Sequence, residues 1–244
     1  MDALMPRLDA MAATGGFHYV CFCEAHLCVR AAREPEVANA LERASLVLPD
    51  GVSMVLGARL AGLRLPRRLT GPAVLLEYCR HGVALGKRHF FYGGAEGVAD
   101  TLATRLKTMI PSLQVAGTFS PPFREMTAQE EALVKRTIEA SRSDVLWVGL
   151  GAPKQELWMA AHVGRLRVPL MMGVGAAFDF HSGLRKWAPA WVRKAGMEWL
   201  YRMLTGGRRV FVRNARYDAM MLWMLVGQAW RRLASRTGRP CAGR

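Results

Sequence analysis

Short apolar runs recur along the chain, and most are followed by a stretch whose apolar residues repeat at helical spacing. The runs are Phe17–Phe22, Leu46–Leu48, His89–Tyr92, Leu113–Gly117, Val145–Val148 and Val168–Met172. Their shortness and their β-branched and aromatic content predict strands. The stretches between them predict helices over Ala25–Arg43, Val52–Ala61, Thr70–Leu85, Glu96–Ile110, Thr127–Ser141 and Lys154–His162. Thr127 with Glu130 has the capping-box pattern for a helix start. Residues 1–16 read as a loose lead-in. Strands alternating with helices predict an α/β fold, a Rossmann-like and mainly parallel sheet with helices on both faces.

In such a sheet ligands bind beyond the carboxyl ends of the strands. Those ends here carry glycine or an acid: Asp50 and Gly51, Gly93 and Gly94, Gly149 and Gly151, Gly173 and Gly175, then Asp179. The densest stretch is DVLWVGLGAPKQE, Asp144–Glu156. Its glycines allow a sharp turn and a close backbone approach, and Pro153 suits a helix start. A turn of this kind offers unpaired N–H groups to an anion. The spacing is neither G-x-G-x-x-G nor a Walker loop, and an ordinary strand–helix connection would use the same residues.

After Gly183 the character changes. From Arg185 onward there are fourteen Lys and Arg against Glu198 and Asp218, a surplus of twelve out of the chain's net charge of +15. Five of the seven tryptophans lie there too. The chain therefore divides into a lead-in at 1–16, an α/β domain at 17–184 and a basic helical appendage at 185–244, with Leu184–Leu204 its first helix. Arginine mixed with tryptophan suits contact with an anionic membrane surface. Nucleic acid would use the same charges, and a solvated basic helix pair needs no partner.

The start, MDALMPRLDAMAATGG, has no signal-peptide pattern. No run reaches the roughly 20 apolar residues of a membrane span. Cys21, Cys23 and Cys28 cluster while Cys79 and Cys241 stand apart, an odd count that favours reduced thiols in a cytoplasm over a zinc site. A peripheral cytoplasmic protein is expected.

Three acids and amides are candidates for chemistry. Asp50 follows a strand and precedes a glycine, so it suits a general base or a helix N-cap. Gln155 opens the helix after the central glycines, within reach of a phosphate or a sugar hydroxyl, or simply exposed. Asp179 lies between two phenylalanines and could accept from a base or sugar, or sit in a turn. His26, His162 and His181 form no metal set, and the sequence contains no D-x-D and no G-x-S-x-G.

LVLPDG (Leu46–Gly51), VGLGAPKQELW (Val148–Trp158) and GVGAAFDFHSGLRKWAPAWVRKAGMEWLYRML (Gly173–Leu204) together resemble the WecG/TagA/CpsF family, glycosyltransferase family 26. Phe90–Asp100 and Arg67–Leu75 fit the same pattern, so the resemblance covers residues 17–215. It implies inverting, metal-independent transfer from a UDP-sugar to a polyprenyl-diphosphate-linked saccharide at the inner face of the cytoplasmic membrane, with no cofactor. It implies Asp50 as base, Gln155 in donor handling and Asp179 at the uracil. The glycines Gly93, Gly94, Gly149, Gly151, Gly173 and Gly175 would lie at the diphosphate and ribose, and Gly51, Cys21 and Cys23 are further candidate substrate contacts. Arg202, Arg209 and Arg213 would close over the leaving UDP in place of a metal.

The chain departs from the family pattern at the end of the first strand, where T-x-N is replaced by Cys21 and Cys23. It also departs at Ser120–Phe123, where the family often has a tyrosine. Both changes point to UDP-glucose and a xanthan-like exopolysaccharide, with UDP-ManNAc or UDP-ManNAcA as the alternative donor. Nucleic-acid binding is the more remote alternative, and the oligomeric state, homo-oligomer included, is left open.

Overall fold

The computed structural model describes residues 1, 3–60, 62, 69–189, 191–192, 201, 212, 215–225 and 227, without the side chains of residues 52, 53, 56 and 60. Six strands form one parallel sheet: β1 (His18–Cys23), β2 (Leu46–Pro49), β3 (Arg88–Gly93), β4 (Gln114–Phe119), β5 (Val145–Gly149) and β6 (Leu170–Gly173). Their order across the sheet is β2-β1-β6-β5-β3-β4.

Alternate strand residues feed two apolar layers, as the two-residue strand period requires. Val20, Phe91, Trp147 and Met172 join one layer with α1 (Met5–Ala13), α5 (Gly71–Val83), α6 (Val98–Met109) and α9 (Ala177–Ser182). Tyr19, Cys21, Phe90, Tyr92, Leu146, Val148 and Met171 join the other. That layer is covered by α7 (Ala128–Ala140) and α8 (Lys154–His162), and Leu41 of α3 (Pro35–Glu42) packs against it. The α/β architecture with helices on both faces is as expected.

Several boundaries differ from the sequence reading, each for a local reason. The lead-in contains α1, whose Met5 and Leu8 are buried in the core. The helix expected over Ala25–Arg43 is two helices, α2 (Ala25–Ala31) and α3, because Pro35 cannot continue a helix but can begin one. Thr70 caps α5 by accepting from the Ala73 N–H, and Thr127 with Glu130 makes the capping box at α7. Residues 184–189 are not helical: Gly183, at φ 82, ends α9 in a left-handed cap. Most of the remaining helix expected to Leu204 lies outside the described residues.

The chain forms two compact units. One comprises Met1–Phe22, Pro35–Leu48 and Leu69–Trp187, and the other Cys23–Glu34, Pro49–Arg68 and Ala188–Arg244. In the second, Ala25 and Val29 of α2 pack with Met221, while Met54 of α4 (Val52–Leu60), Tyr217 and Leu225 pack against them. Trp191 and Trp223 of this unit are 67% and 79% exposed. Among the described residues no helix is long and apolar enough to cross a membrane.

Candidate functional site

From β3 the chain moves outward to β4, and from β5 it moves the other way to β6. The junction of β3 and β5 is therefore the switch point at which an open parallel sheet presents a crevice. Both strands end there in glycine, paired Gly93 to Gly149. A Cβ on Gly93 would fall 2.5 Å from the Gly149 carbonyl carbon, and Gly94 N–H donates to the Gly149 carbonyl at 3.0 Å. Gly149 in turn lies against the Phe178 ring, where a Cβ would come within 2.6 Å. Gly151, at φ 78, has nothing within 4 Å of its would-be Cβ. The Ser120 hydroxyl, beyond β4, donates to the Gly93 carbonyl at 3.2 Å. The crevice is built of backbone, and α6 and α8 begin beside it, so its N–H groups suit an anion.

The end of β6 adds a polar cluster. Cys21 of β1 stands in register with Gly173 of β6. Gln155, only 3% exposed, packs its amide against Gly173 and Gly175. Its Nε2 donates to the Gly173 carbonyl and to Glu156 Oε1, both at 2.8 Å. Gln155 is thus interior, not the exposed surface residue that was its ordinary alternative. Burial pushes the Cys21 thiol well above its usual range, and the Glu156 charge adds to the effect. It remains a thiol. Glu156, fully buried, was not singled out from the sequence. The signal available was an acid directly after Gln155, in the first turn of the helix that follows the central glycines.

Asp179 lies in α9 and not in a turn, half-buried, with Arg185 Nη2 4.0 Å from Oδ2. Asp50 and Gly51 belong to the second unit. The Asp50 N–H donates to the Cys23 carbonyl at 2.8 Å, and Gly51 stands at φ 102 before α4. Cys23 also belongs to that unit and hydrogen-bonds Cys28. No disulfide joins Cys21, Cys23, Cys28 or Cys79. Arg202, Arg209 and Arg213 lie outside the described residues. Among the described residues no three His, Cys, Asp or Glu side chains gather as a metal site would need.

An open groove of about 710 Å³ lies at the opposite edge, lined by Lys135, Glu139, Gly164, Arg165 and Arg167. It precedes β6 and carries neither the paired glycine strand ends nor the buried amide. The switch-point crevice is the better candidate on chemical grounds.

A parallel α/β sheet with a glycine-walled crevice at its switch point is an arrangement in which such folds offer backbone N–H groups to an anion. Residues 1–235 match the model of the glycosyl transferase WecG/TagA/CpsF family, and the chain belongs to that family. Three relatives carry the name N-acetylglucosaminyldiphosphoundecaprenol N-acetyl-beta-D-mannosaminyltransferase. The Bacillus subtilis protein is 28% identical over 174 residues, 71% of this chain and 66% of its own length. The Bacillus spizizenii protein is 30% identical over 73% of this chain and 68% of its own. The Staphylococcus aureus MRSA252 protein is 28% identical over 70% and 65%. The match thus spans about two thirds of these relatives' length.

Proposed function

We propose that the protein transfers an N-acetylmannosamine-type sugar from its UDP conjugate to a saccharide carried on polyprenyl diphosphate. The observation that carries the reading is the glycine crevice at the switch point, in a chain whose relatives are named for that transfer. The names favour this sugar over the glucose expected from Cys21 and Cys23. Cys21 lies fully buried in the core, so its thiol gives no reason to set the relatives' sugar aside. The same names favour a lipid-linked saccharide in general over a xanthan-like product.

In the proposed reaction the acceptor hydroxyl attacks the anomeric carbon from the face opposite UDP. Its proton passes to the Asp50 carboxylate as the new glycosidic bond forms. The bond to the β-phosphate oxygen breaks, and UDP leaves with the electron pair. The configuration inverts. The backbone N–H of Gly151 would receive the diphosphate, with Arg202, Arg209 and Arg213 supplying the positive charge a metal would otherwise bring. Asp179 would meet the uracil. The exposed Trp191 and Trp223, in a segment rich in arginine, would rest on the anionic membrane surface where the lipid-linked acceptor resides.

The test is transfer from a panel of UDP-sugars to synthetic polyprenyl-diphosphate-GlcNAc and -glucose, in EDTA. UDP-ManNAc should turn over and UDP-glucose should not. Asp50→Asn should keep UDP affinity and lose about 10² or more in kcat. Turnover confined to UDP-glucose would reinstate the first donor, and no transfer with no UDP binding would sink the reading.

A further inference from the structure

One buried carboxylate has no part in the chemistry above. Glu156 lies in the first turn of α8, and its Oε1 accepts from Gln155 Nε2 at 2.8 Å. The second hydrogen of that amide goes to the Gly173 carbonyl, also at 2.8 Å. Two acceptors decide which end of the amide is nitrogen. Turned over, Oε1 would face a carboxylate and a carbonyl oxygen, two repulsions in place of two hydrogen bonds.

This leaves Gln155 Oε1 buried and with no partner among the described residues. It lies beneath the turn after β6, where Gly175 stands at φ 51 and a Cβ would come 3.3 Å from it. Buried acceptors are almost always paired, so one held in place by a buried carboxylate requires an explanation.

We propose that Glu156 is a positioning residue: with the Gly173 carbonyl it locks the Gln155 amide so that Gln155 meets the ligand only as a hydrogen-bond acceptor. The inference rests on the glycosyl-transfer reading and deepens it. An acceptor cannot hold a phosphate, whose oxygens are acceptors themselves. It takes a hydroxyl or an amide N–H. The group it meets is therefore on the transferred sugar, a ring hydroxyl or the N-acetyl N–H, and not the diphosphate that Gln155 could equally have served from the sequence alone.

The experiment compares E156Q, E156D and E156L in the full chain, alone and with Q155A, by sugar-transfer kinetics, UDP affinity and thermal unfolding. E156Q keeps an oxygen for Gln155 Nε2, E156D withdraws it by one methylene and E156L removes it. E156Q should stay within about threefold of wild type in kcat/KM, whereas E156D and E156L should fall by about tenfold or more. UDP affinity should stay within about twofold for all three, because UDP lacks the sugar that Gln155 holds. In the Q155A background E156L should add no further loss, since Glu156 acts through Gln155.

Equal losses from E156L with and without Gln155 would overturn the proposal. So would a fall in UDP affinity parallel to the fall in turnover, which would place the contact on the nucleotide. Should E156L not fold, E156D carries the same comparison. Wild-type protein that transfers no sugar overturns the functional reading and this inference with it. A transferring wild type with three unaltered variants overturns the inference alone.

Discussion

A Cβ on Gly93 would sit 2.5 Å from the carbonyl carbon of Gly149, so β3 and β5 meet at a separation only glycine permits. Gly93 also holds φ 136, outside the range comfortable for side-chain-bearing residues. Gly93→Ala should therefore cost about 3 kcal/mol or more in stability, combining backbone strain with a clash against main chain. Gly151→Ala, at φ 78 but in open space, should cost only about 1 kcal/mol. Urea unfolding of the two variants checks the difference. Equal costs would mean that the strand ends part easily.

His89 is fully buried, and its Nδ1 accepts from the Trp147 indole N–H at 3.1 Å, which places its proton on Nε2. Burial pushes its pKa down to about 4 from the usual 6.5, against an upward pull from Asp144. Above pH 6.5 the ring is neutral folded and unfolded, and it contributes no pH dependence. Between 6.5 and about 4 the unfolded chain takes a proton that the native ring refuses, so stability falls as pH falls. Below about 4 both states are protonated and the loss stops. The total is about 3 kcal/mol at 1.36 kcal/mol per unit. His89→Gln keeps an acceptor for Trp147 and should flatten that part of a stability–pH curve. An unchanged slope would remove His89 as its source.

Cys28 is half-buried, and the hydrogen bond from Cys23 lowers its pKa to about 7 despite an opposing effect of burial. Cys21 and Cys79 are pushed the other way by burial. Alkylation of the native protein, followed by peptide mass spectrometry, should label Cys28 with a midpoint near pH 7 and leave Cys21 and Cys79 unlabelled until denaturant is added. Cys23→Ala should move the Cys28 midpoint up towards its ordinary 9.0. A midpoint that stays put would show that the neighbouring thiol is not the cause.

Asp9 ties α1 to α5: the buried Tyr78 hydroxyl donates to Oδ1 at 3.0 Å and His81 Nε2 lies 2.6 Å from Oδ2. Asp9→Ala leaves that hydroxyl buried without its acceptor, at a cost of about 1–3 kcal/mol. Adding Tyr78→Phe should recover part of the loss, because the orphaned polar group is then gone. Chemical denaturation of the single and double variants measures both steps. A double variant less stable than Asp9→Ala would show that the tyrosine hydroxyl has another partner.

The Asp9 tie also shows why α1 was illegible in the sequence. Met5 and Leu8 are too few to make a periodic signal, and they become a helix face only because α5 and β6 offer a surface to bury them. The Pro35 break was written in the sequence, but the helical spacing on either side of it concealed the interruption. Gln155 was legible as a residue beside the glycine turn. That it is interior and held by Glu156 was not, because Gly173, its second partner, lies eighteen residues along the chain at the end of β6.

Sequence alone determined the alternation of buried strands with helices, the glycines at the strand ends and the likeness to a family of glycosyl transferases. Those are local properties: residue period reports which faces are buried, and glycine reports where backbone must turn. The tertiary structure decided that β5 lies between β3 and β6. That placement creates the switch point, presses Gly93 onto Gly149 and brings Gln155, Glu156, Gly173 and Cys21 together. Strand order is a choice among long-range pairings of similar local sequence, settled by packing across the whole sheet, and no single segment carries it.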